Sequence, residues 1–312
     1  MPASSRLRSW RLGALLAAGI SLQVAAHGQS QSHLQTGHAL PGFFGLESAV
    51  APDLKPNTFS YRNTTVVYSA DKDLDLHGNK LSSSRTIRHT SNVSGFTWMT
   101  PWKMLGGNFL MNLEIPLVNS ASNPRATTDR SSGVAIGDLF FEPIGLYWIG
   151  RDGFFTFRYG AWLPTGGFSA TADDNAGKGF LTHQASMGFT HYPDQAHEWH
   201  VTVLARYEFH QEMSGANLTP GQDVVLDWAI GRHLGARLNV GLLGYGVWQT
   251  SIERGSDSNA NLNYYGTAAV GAEVRYAMPD WGGDLFFRGF QEIESFNHTE
   301  GQSIQFGLNY KL

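Results

Sequence analysis

The sequence predicts an all-β protein: a transmembrane, antiparallel, up-and-down β-barrel of about twelve strands. Three observations predict it. The chain ends in a stretch of strict apolar–polar alternation. Connections between stretches of this kind alternate between long and short along the sequence. Trp residues gather near the predicted strand ends.

In the final stretch Ile304, Phe306, Leu308, Tyr310 and Leu312 are apolar, and Gln305, Gly307, Asn309 and Lys311 between them are not. A period of two means a strand with one oily face and one wet face. A strand that runs to the last residue with an aromatic near its end resembles the closing strand and assembly signal of bacterial outer-membrane barrels. Those usually end in Phe or Trp, and Leu312 stands in that place here. The expected partners are therefore outer-membrane lipid and, through this strand, the barrel-assembly machinery.

Residues 1–26 read as a secretory signal peptide. Arg6, Arg8 and Arg11 form a basic start, Leu12 to Val24 an apolar core, and Val24-Ala25-Ala26 a small-residue cleavage site. Removing three Arg and no acid takes the formal charge from −4 to −4 − 3 = −7. A negative chain without basic clusters excludes nucleic acid as an expected partner. No later stretch approaches the roughly 18 consecutive apolar residues of a spanning helix. Mean hydropathy is −0.23, as a barrel reads when lipid-facing and lumen-facing residues cancel. The absence of Cys removes disulfides, thiol nucleophiles and Cys-ligated metals.

Residues 27–57 precede the first strand and carry a Gly/Pro-punctuated apolar run, Leu40 to Leu46, too apolar for a plain linker. They are expected to form an N-terminal periplasmic segment or a plug, with the barrel over 58–312. Alternation places strands at Thr58–Ala70, Arg85–Thr100 and Gly107–Leu117, where Phe109, Met111, Leu113, Ile115 and Leu117 share a face. Next come Ile136–Ile149, Gly153–Leu163, Phe180–Tyr192 and Glu198–Gln211. In the last of these Val201, Val203, Ala205, Tyr207 and Phe209 lie opposite His200, Thr202, Arg206, Glu208 and His210. Gln222–Leu234, Ala236–Ser251, Asn261–Ala277, Gly283–Ser295 and Gly301–Leu312 complete the set.

Long polar connections run around Asp71–Ser84, Val118–Ala135, Pro164–Gly179, Glu212–Gly221 and Ile252–Ala260, with a modest one at Phe296–Glu300. Short ones fall at Trp102–Gly106, Gly150–Asp152, Pro193–His197, Gly235 and Pro279–Gly282. Long outer loops and short periplasmic turns produce this alternation, and an even strand count leaves both termini in the periplasm. Trp98, Trp102, Trp148, Trp162, Trp199 and Trp281 sit near predicted strand ends, as an interfacial girdle requires.

Eight segments in order resemble the meta-pathway phenol-degradation family of bacterial outer-membrane proteins. They begin with "GHALPGFFGLESA" from Gly37, "FSYRNTTVVYSADKDLDLHGNK" from Phe59 and "TPWKMLGGNFLMNLEIPLVN" from Thr100. "GDLFFEPIGLYW" from Gly137, "YGAWLPTGGF" from Tyr159 and "GKGFLTHQASMGFTHYPD" from Gly177 follow. "ARYEFHQ" from Ala205 and "TPGQDVVLDWAIG" from Thr219 complete them. The family name records genetic context in aromatic-degradation clusters. The resemblance implies a barrel that passes aromatic or other poorly soluble small molecules, and it carries over no catalytic residue.

The predicted lumen face carries Glu114, Arg158, Arg206, Glu208, Asp227, Glu273, Arg275, Arg288 and Glu292. Charges on a lipid face cost about 2–4 kcal/mol near the midplane, so these are expected to point inward and pair. Hairpin arithmetic sets Arg206 opposite Asp227, His210 opposite Asp223, and Glu273 almost opposite Arg288. Two motifs weigh against a purely passive barrel. His89-Thr90-Ser91-Asn92 echoes an outer-membrane phospholipase element and puts His89 and Ser91 on one strand face, but no orienting acid is evident and Val93 replaces an expected Gly. Asp71, Asp73 and Asp75 have calcium-loop spacing, but Gly78 comes too late and no closing Glu follows. The expectation is a passive outer-membrane channel for small hydrophobic or aromatic molecules, with no cofactor, metal or catalytic residue. The alternatives are a lipid hydrolase using His89 and Ser91, or a closed structural barrel.

Overall fold

The computed structural model describes residues 37–47, 55–82, 86–123, 130–131, 133–170, 172, 175–258 and 264–312. The signal peptide expected at 1–26 lies outside these residues, as do parts of the 27–57 segment and of the outer loops. The strands are β1 (Thr58–Asp73), β2 (Thr86–Met104), β3 (Gly107–Asn123), β4 (Arg130–Ser131) and β5 (Ala135–Ile136). They continue with β6 (Leu139–Gly150), β7 (Gly153–Leu163), β8 (Thr182–His191), β9 (Trp199–His210) and β10 (Asp223–Leu234). The last are β11 (Leu238–Gln249), β12 (Gly266–Met278), β13 (Gly283–Phe296) and β14 (Thr299–Lys311). β1 pairs with β2 on one side and β14 on the other, and β2 pairs on with β3, so the sheet closes and no spanning strand is left with a free edge. Twelve long strands make the wall, all antiparallel; the two-residue β4 and β5 pair with the outer part of β3.

The strand positions meet the expectation closely; at the short-turn end β2 runs on to Met104 rather than Thr100, and the other main differences lie at the outer end. β3 runs to Asn123 rather than Leu117, so its hairpin with β2 projects beyond the neighbouring strands. The connection expected as a modest loop at Phe296–Glu300 is a two-residue turn between β13 and β14, with Asn297 at a φ of 50°. Asn tolerates that left-handed conformation, which tight hairpin turns demand.

Each strand alternates between a buried lumen face and a partly exposed outer face; β9 buries His200, Thr202, Leu204, Arg206, Glu208 and His210 and leaves Val201, Val203, Ala205, Tyr207 and Phe209 outside. The outer surface carries Phe155, Met187, Phe189, Ile230, Leu242, Val270, Leu285, Phe287, Ile304 and Phe306, all exposed. An apolar belt of that extent on a closed barrel has a bilayer as its solvent. Among the described residues no helix is long and apolar enough to cross a membrane, and strands make every crossing.

At the short-turn end Phe59 stacks on Trp98 at 5.8 Å, and Trp98 meets Trp102 edge-on at 5.3 Å. Trp199 and Trp281 are exposed at the same end, so these residues form the expected girdle. Trp162 is the exception. It is buried in the lumen near the other end, donates its indole N–H to Gln184 at 3.2 Å, and stacks on His38 at 5.5 Å. Parity decided its face, since Trp162 shares the inward row of β7 with Arg158.

Candidate functional site

Of the nine charged residues expected on the lumen face, eight are buried, namely Glu114, Arg158, Arg206, Glu208, Asp227, Glu273, Arg288 and Glu292, and Arg275 is partly buried. Most pair across neighbouring strands. Arg206 meets Asp227 at 2.5 Å, Arg288 meets Glu273 at 3.1 Å, and Arg275 reaches the other oxygen of Glu273 at 3.0 Å. Arg158 pairs with Glu142 at 3.1 Å and Arg62 with Glu114 at 3.8 Å. Glu292 instead collects neutral donors, the Tyr68 and Tyr245 hydroxyls and the Gly301 N–H. Alternation alone missed Arg62 and Glu142. Arg62 shares the inward parity of Thr64 and Val66, which marks it. At Glu142 the Pro143 beside it shifts the register of β6, and simple parity fails there.

Gly37–Glu47 lies inside the barrel. Apart from one 3-10 turn at Gly45–Glu47 its backbone forms no helix or sheet, so its remaining polar groups need partners from the wall. The wall supplies them. Ala39 N–H donates to Glu208 at 2.9 Å, Gly42 N–H to Asp227 at 2.8 Å and Leu46 N–H to Glu273 at 3.2 Å. Arg206 donates twice to the Leu40 carbonyl, Arg288 donates to the Phe43 carbonyl, and Gln305 to the Pro41 carbonyl. The apolar side chains find matching patches: Leu46 packs in a cluster with Ala229, Leu243 and Phe290, and Phe43 with Val66 and Val93. Gly45 has a φ of 70°, and a Cβ there would sit 2.0 Å from Arg288 Nη1 and 2.1 Å from Glu273 Oε2. Only glycine fits over that ion pair.

Phe44 sits among three guanidinium groups. The Arg62 Cζ lies 4.7 Å from its ring centroid, and those of Arg158 and Arg206 each lie 5.6 Å away. Cation–π attraction holds the ring there, and the desolvated setting strengthens it. The ring thus stands at a charged level of the lumen, with Glu114, Glu142 and Asp227 as the counter-charges.

Nearer the outer end, His38 Nε2 lies 2.9 Å from Asp138 Oδ2, and its Nδ1 lies 2.9 Å from the Thr182 hydroxyl. Asp138 also accepts the backbone N–H groups of Gly166 and Lys178, so one carboxylate ties the segment to both ends of the loop between β7 and β8. Burial would raise the Asp138 carboxyl, but the His38 hydrogen bond and charge and the two backbone donors more than offset it and hold it below the ordinary range. Burial pushes the His38 imidazole down to about 4, helped by the Lys178 charge and against the pull of Asp138.

Above the segment lies a cavity of about 290 Å³. Leu40 and Pro41 form its floor, and Val66, Tyr68, Ile87, Val225, Tyr245 and Val247 its walls. The β7–β8 loop covers it through Phe168 and residues 175–178, and Asn175 holds that loop with hydrogen bonds to Ser169 and Ala172. Most of the exposed lining surface is apolar, and polar and charged side chains, among them Arg88, Lys178, Glu292 and His298, also border the cavity.

His89 borders this cavity, but its Nδ1 faces the Ser120 hydroxyl across the hairpin at 2.9 Å. Ser91, two residues along β2, is buried at 1% exposure beside Val118 rather than presented to the cavity. Asp75 is part of a turn rather than a calcium loop: it accepts the backbone N–H groups of His77 and Asn79, and the Asn79 donor leads in holding its carboxyl below the ordinary range. Asp73 is buried, so the three acids do not converge on one exposed site.

Comparison with known proteins agrees with this geometry. The model of a protein family described as "Putative MetA-pathway of phenol degradation" matches residues 70–308. A solved outer membrane channel from Pseudomonas putida F1 superposes with a TM-score of 0.74 at 10% identity, covering 84% of this chain and 100% of that one. The β domain of the Bordetella autotransporter BrkA superposes at 0.50 with 14% identity, over 82% of this chain and 100% of the other. A search of curated proteins finds no match. Identities this low speak to the fold, a closed outer-membrane barrel.

Proposed function

The chain belongs to the family "Putative MetA-pathway of phenol degradation", and we propose that it is a passive outer-membrane channel for small hydrophobic or aromatic molecules. The observation that carries this reading is the apolar cavity of about 290 Å³ under the β7–β8 loop. It is large enough for a single-ring solute, and Tyr68, Tyr245 and His89, with the charged Arg88, Lys178 and Glu292, give its wall polar edges. Gly37–Glu47 closes the route below it and acts as a plug. Its Phe44 occupies a cage of Arg62, Arg158 and Arg206 that accepts any flat ring, so a solute that displaces it moves from one ring site to the next. Glu114, Arg158, Arg206, Glu208, Asp227, Glu273, Arg288 and Glu292 line that route rather than perform chemistry, and Arg158, Arg206, Glu208, Asp227, Glu273 and Arg288 also hold the plug.

The same lumen contacts favour a second reading, a closed barrel with a structural role. Osmotic swelling of lipopolysaccharide-containing proteoliposomes separates the two. A channel of this kind admits single-ring aromatic solutes faster than empty vesicles do and discriminates against sugars. Rates equal to those of empty vesicles for every solute, in wild type and in Phe44→Ala alike, leave only the closed barrel.

A further inference from the structure

Where the strands end at the outer mouth, two carboxylates and an imidazole converge. Asp223 opens β10 directly opposite Glu208 on β9, and His210 stands two residues further along β9 on the same face. One ligand atom from each lies within 4.8 Å of the others, and His210 Nε2 is 3.1 Å from Asp223 Oδ2. All three side chains are buried. We propose that Glu208, His210 and Asp223 bind a divalent first-row transition metal ion of the zinc type, beside Gly37 at the outer end of the Gly37–Glu47 segment.

Three observations carry this. The first is an outer shell. Each side chain is held through its other polar atom: Asp223 Oδ1 accepts from the Tyr265 hydroxyl at 2.6 Å, and Glu208 Oε1 from Ala39 N–H at 2.9 Å. His210 Nδ1 meets the Thr182 hydroxyl at 2.7 Å. Anchoring each ligand by its far atom, with the near atom aimed at a common centre, is how metal sites orient their ligands.

The second is an orphan. Glu208 Oε2 is fully buried and has no hydrogen-bond partner. Such an atom costs free energy unless a cation or proton meets it.

The third is the direction of the hydrogen bonds. Asp138 accepts two backbone N–H groups, so it faces His38 as a carboxylate and His38 Nε2 carries the hydrogen. A neutral His38 then needs a donor at Nδ1, and the Thr182 hydroxyl supplies its single hydrogen there. Thr182 has none left for His210, so His210 Nδ1–H donates to Thr182 and Nε2 presents a lone pair. That lone pair faces the Asp223 carboxylate at 3.1 Å. Two acceptors at this distance repel unless a positive charge joins them. A proton on Nε2 joins His210 and Asp223 but leaves Glu208 Oε2 unmet. A metal ion meets all three. Bonds of about 2.0–2.2 Å put neighbouring ligand atoms about 3.3 Å apart, close to the 3.1 Å between His210 Nε2 and Asp223 Oδ2, with Glu208 within 4.8 Å of both. One imidazole with two carboxylates suits zinc and its neighbours.

Gly37 closes the site. A Cβ on Gly37 would lie 1.8 Å from Glu208 Oε2 and 2.8 Å from Asp223 Oδ2, so any side chain there enters the ligand space. Bound metal therefore fastens the plug's outer end to the wall, through ligands that also hold Ala39.

The test uses the full-length barrel, refolded in detergent and stripped with a chelator, with Zn²⁺ and Co²⁺ as probes. Wild type should bind one Zn²⁺ per chain and give a visible Co²⁺ spectrum. Glu208→Gln, His210→Ala and Asp223→Asn should each weaken binding tenfold or more, in samples that keep the heat-modifiable migration of a folded barrel. Thr182→Val and Gly37→Val leave all three ligands in place and should weaken it as well, the first by about 10–100-fold for the lost orienting bond and the second by crowding the ligand space. Less than one ion bound to wild type overturns the proposal. Binding that persists in the three ligand variants overturns it equally, because the ion then sits elsewhere.

Discussion

Arg206 lies directly across the sheet from Val225, yet its guanidinium reaches Asp227, two residues further along β10, at 2.5 Å. The same diagonal step joins His210 to Asp223, whose direct neighbour is Glu208. Long side chains span such diagonals easily. The Arg206–Asp227 pair also grips the plug, through the Leu40 carbonyl on one side and Gly42 N–H on the other.

Removing either partner leaves a buried charge without its counter-ion, which costs about 3–5 kcal/mol. Arg206→Ala and Asp227→Ala should each lower the unfolding temperature in detergent, and the double variant should lose less than the sum. Simple additivity in that cycle would show that the two charges do not couple. An unchanged stability with altered solute flux in both single variants would assign the pair to selectivity instead.

Much of this fold was legible in the chain, and the errors have physical causes. Period-two alternation in β9 and β14 survives folding because a bilayer on one side and a lumen on the other enforce it. The diagonal pairing was misread because loop midpoints locate register only to within a residue or two, whereas Glu273 and Arg288, near a tight turn, are direct neighbours as expected. Trp162 was assigned to the rim by residue type, when its parity with Arg158 placed it in the lumen. The cluster of Glu208, His210 and Asp223 was not visible as a site at all. It depends on Thr182 of β8, on Tyr265 just before β12 and on Gly37 of the segment inside the barrel.

Gly45→Leu should unseat the plug. A left-handed φ costs a side chain about 1–2 kcal/mol, and overpacking against Arg288 and Glu273 adds about 1–3 kcal/mol. The wall contacts of the segment are lost while the barrel's ladders stay intact. Proteoliposome swelling should rise in this variant and in Phe44→Ala. Swelling that stays at the wild-type rate in both would mean that Gly37–Glu47 does not limit passage.

Topology follows from the short connections. A tag inserted at Gly215, in the connection between β9 and β10, should be labelled on intact cells. One at Asp280, in the turn between β12 and β13, should be labelled only after permeabilisation. Labelling at Asp280 in intact cells would invert the barrel.

Ser91→Ala and His89→Ala should leave lipid hydrolysis at the background rate of the wild-type protein, because His89 is engaged with Ser120 and Ser91 is buried. A phospholipase or esterase activity in purified wild type that Ser91→Ala abolishes would reinstate the enzyme reading.

Acid should loosen the outer end of the plug. His38 has its pKa lowered to about 4 where it is seated, against an ordinary value near 6.5, so protonation favours the state in which it is released to water. Its contribution to stability is whole above about pH 6.5 and is lost as the pH falls from there to about 4. The loss approaches about 3 kcal/mol, at roughly 1.4 kcal/mol for each unit of depression. Asp138 acts in the same direction at lower pH: its carboxyl is held below the ordinary range, so its contribution disappears as the pH falls through that depressed value. His38→Gln keeps hydrogen-bonding atoms towards Asp138 and Thr182 without a titrating ring. Thermal unfolding in detergent between pH 7.5 and pH 4 should therefore fall more steeply for wild type than for His38→Gln, with the two curves diverging below about pH 6.5. Swelling rates should rise over the same interval in wild type alone. Parallel curves for the two proteins would mean that His38 stays solvated and does not fasten the segment.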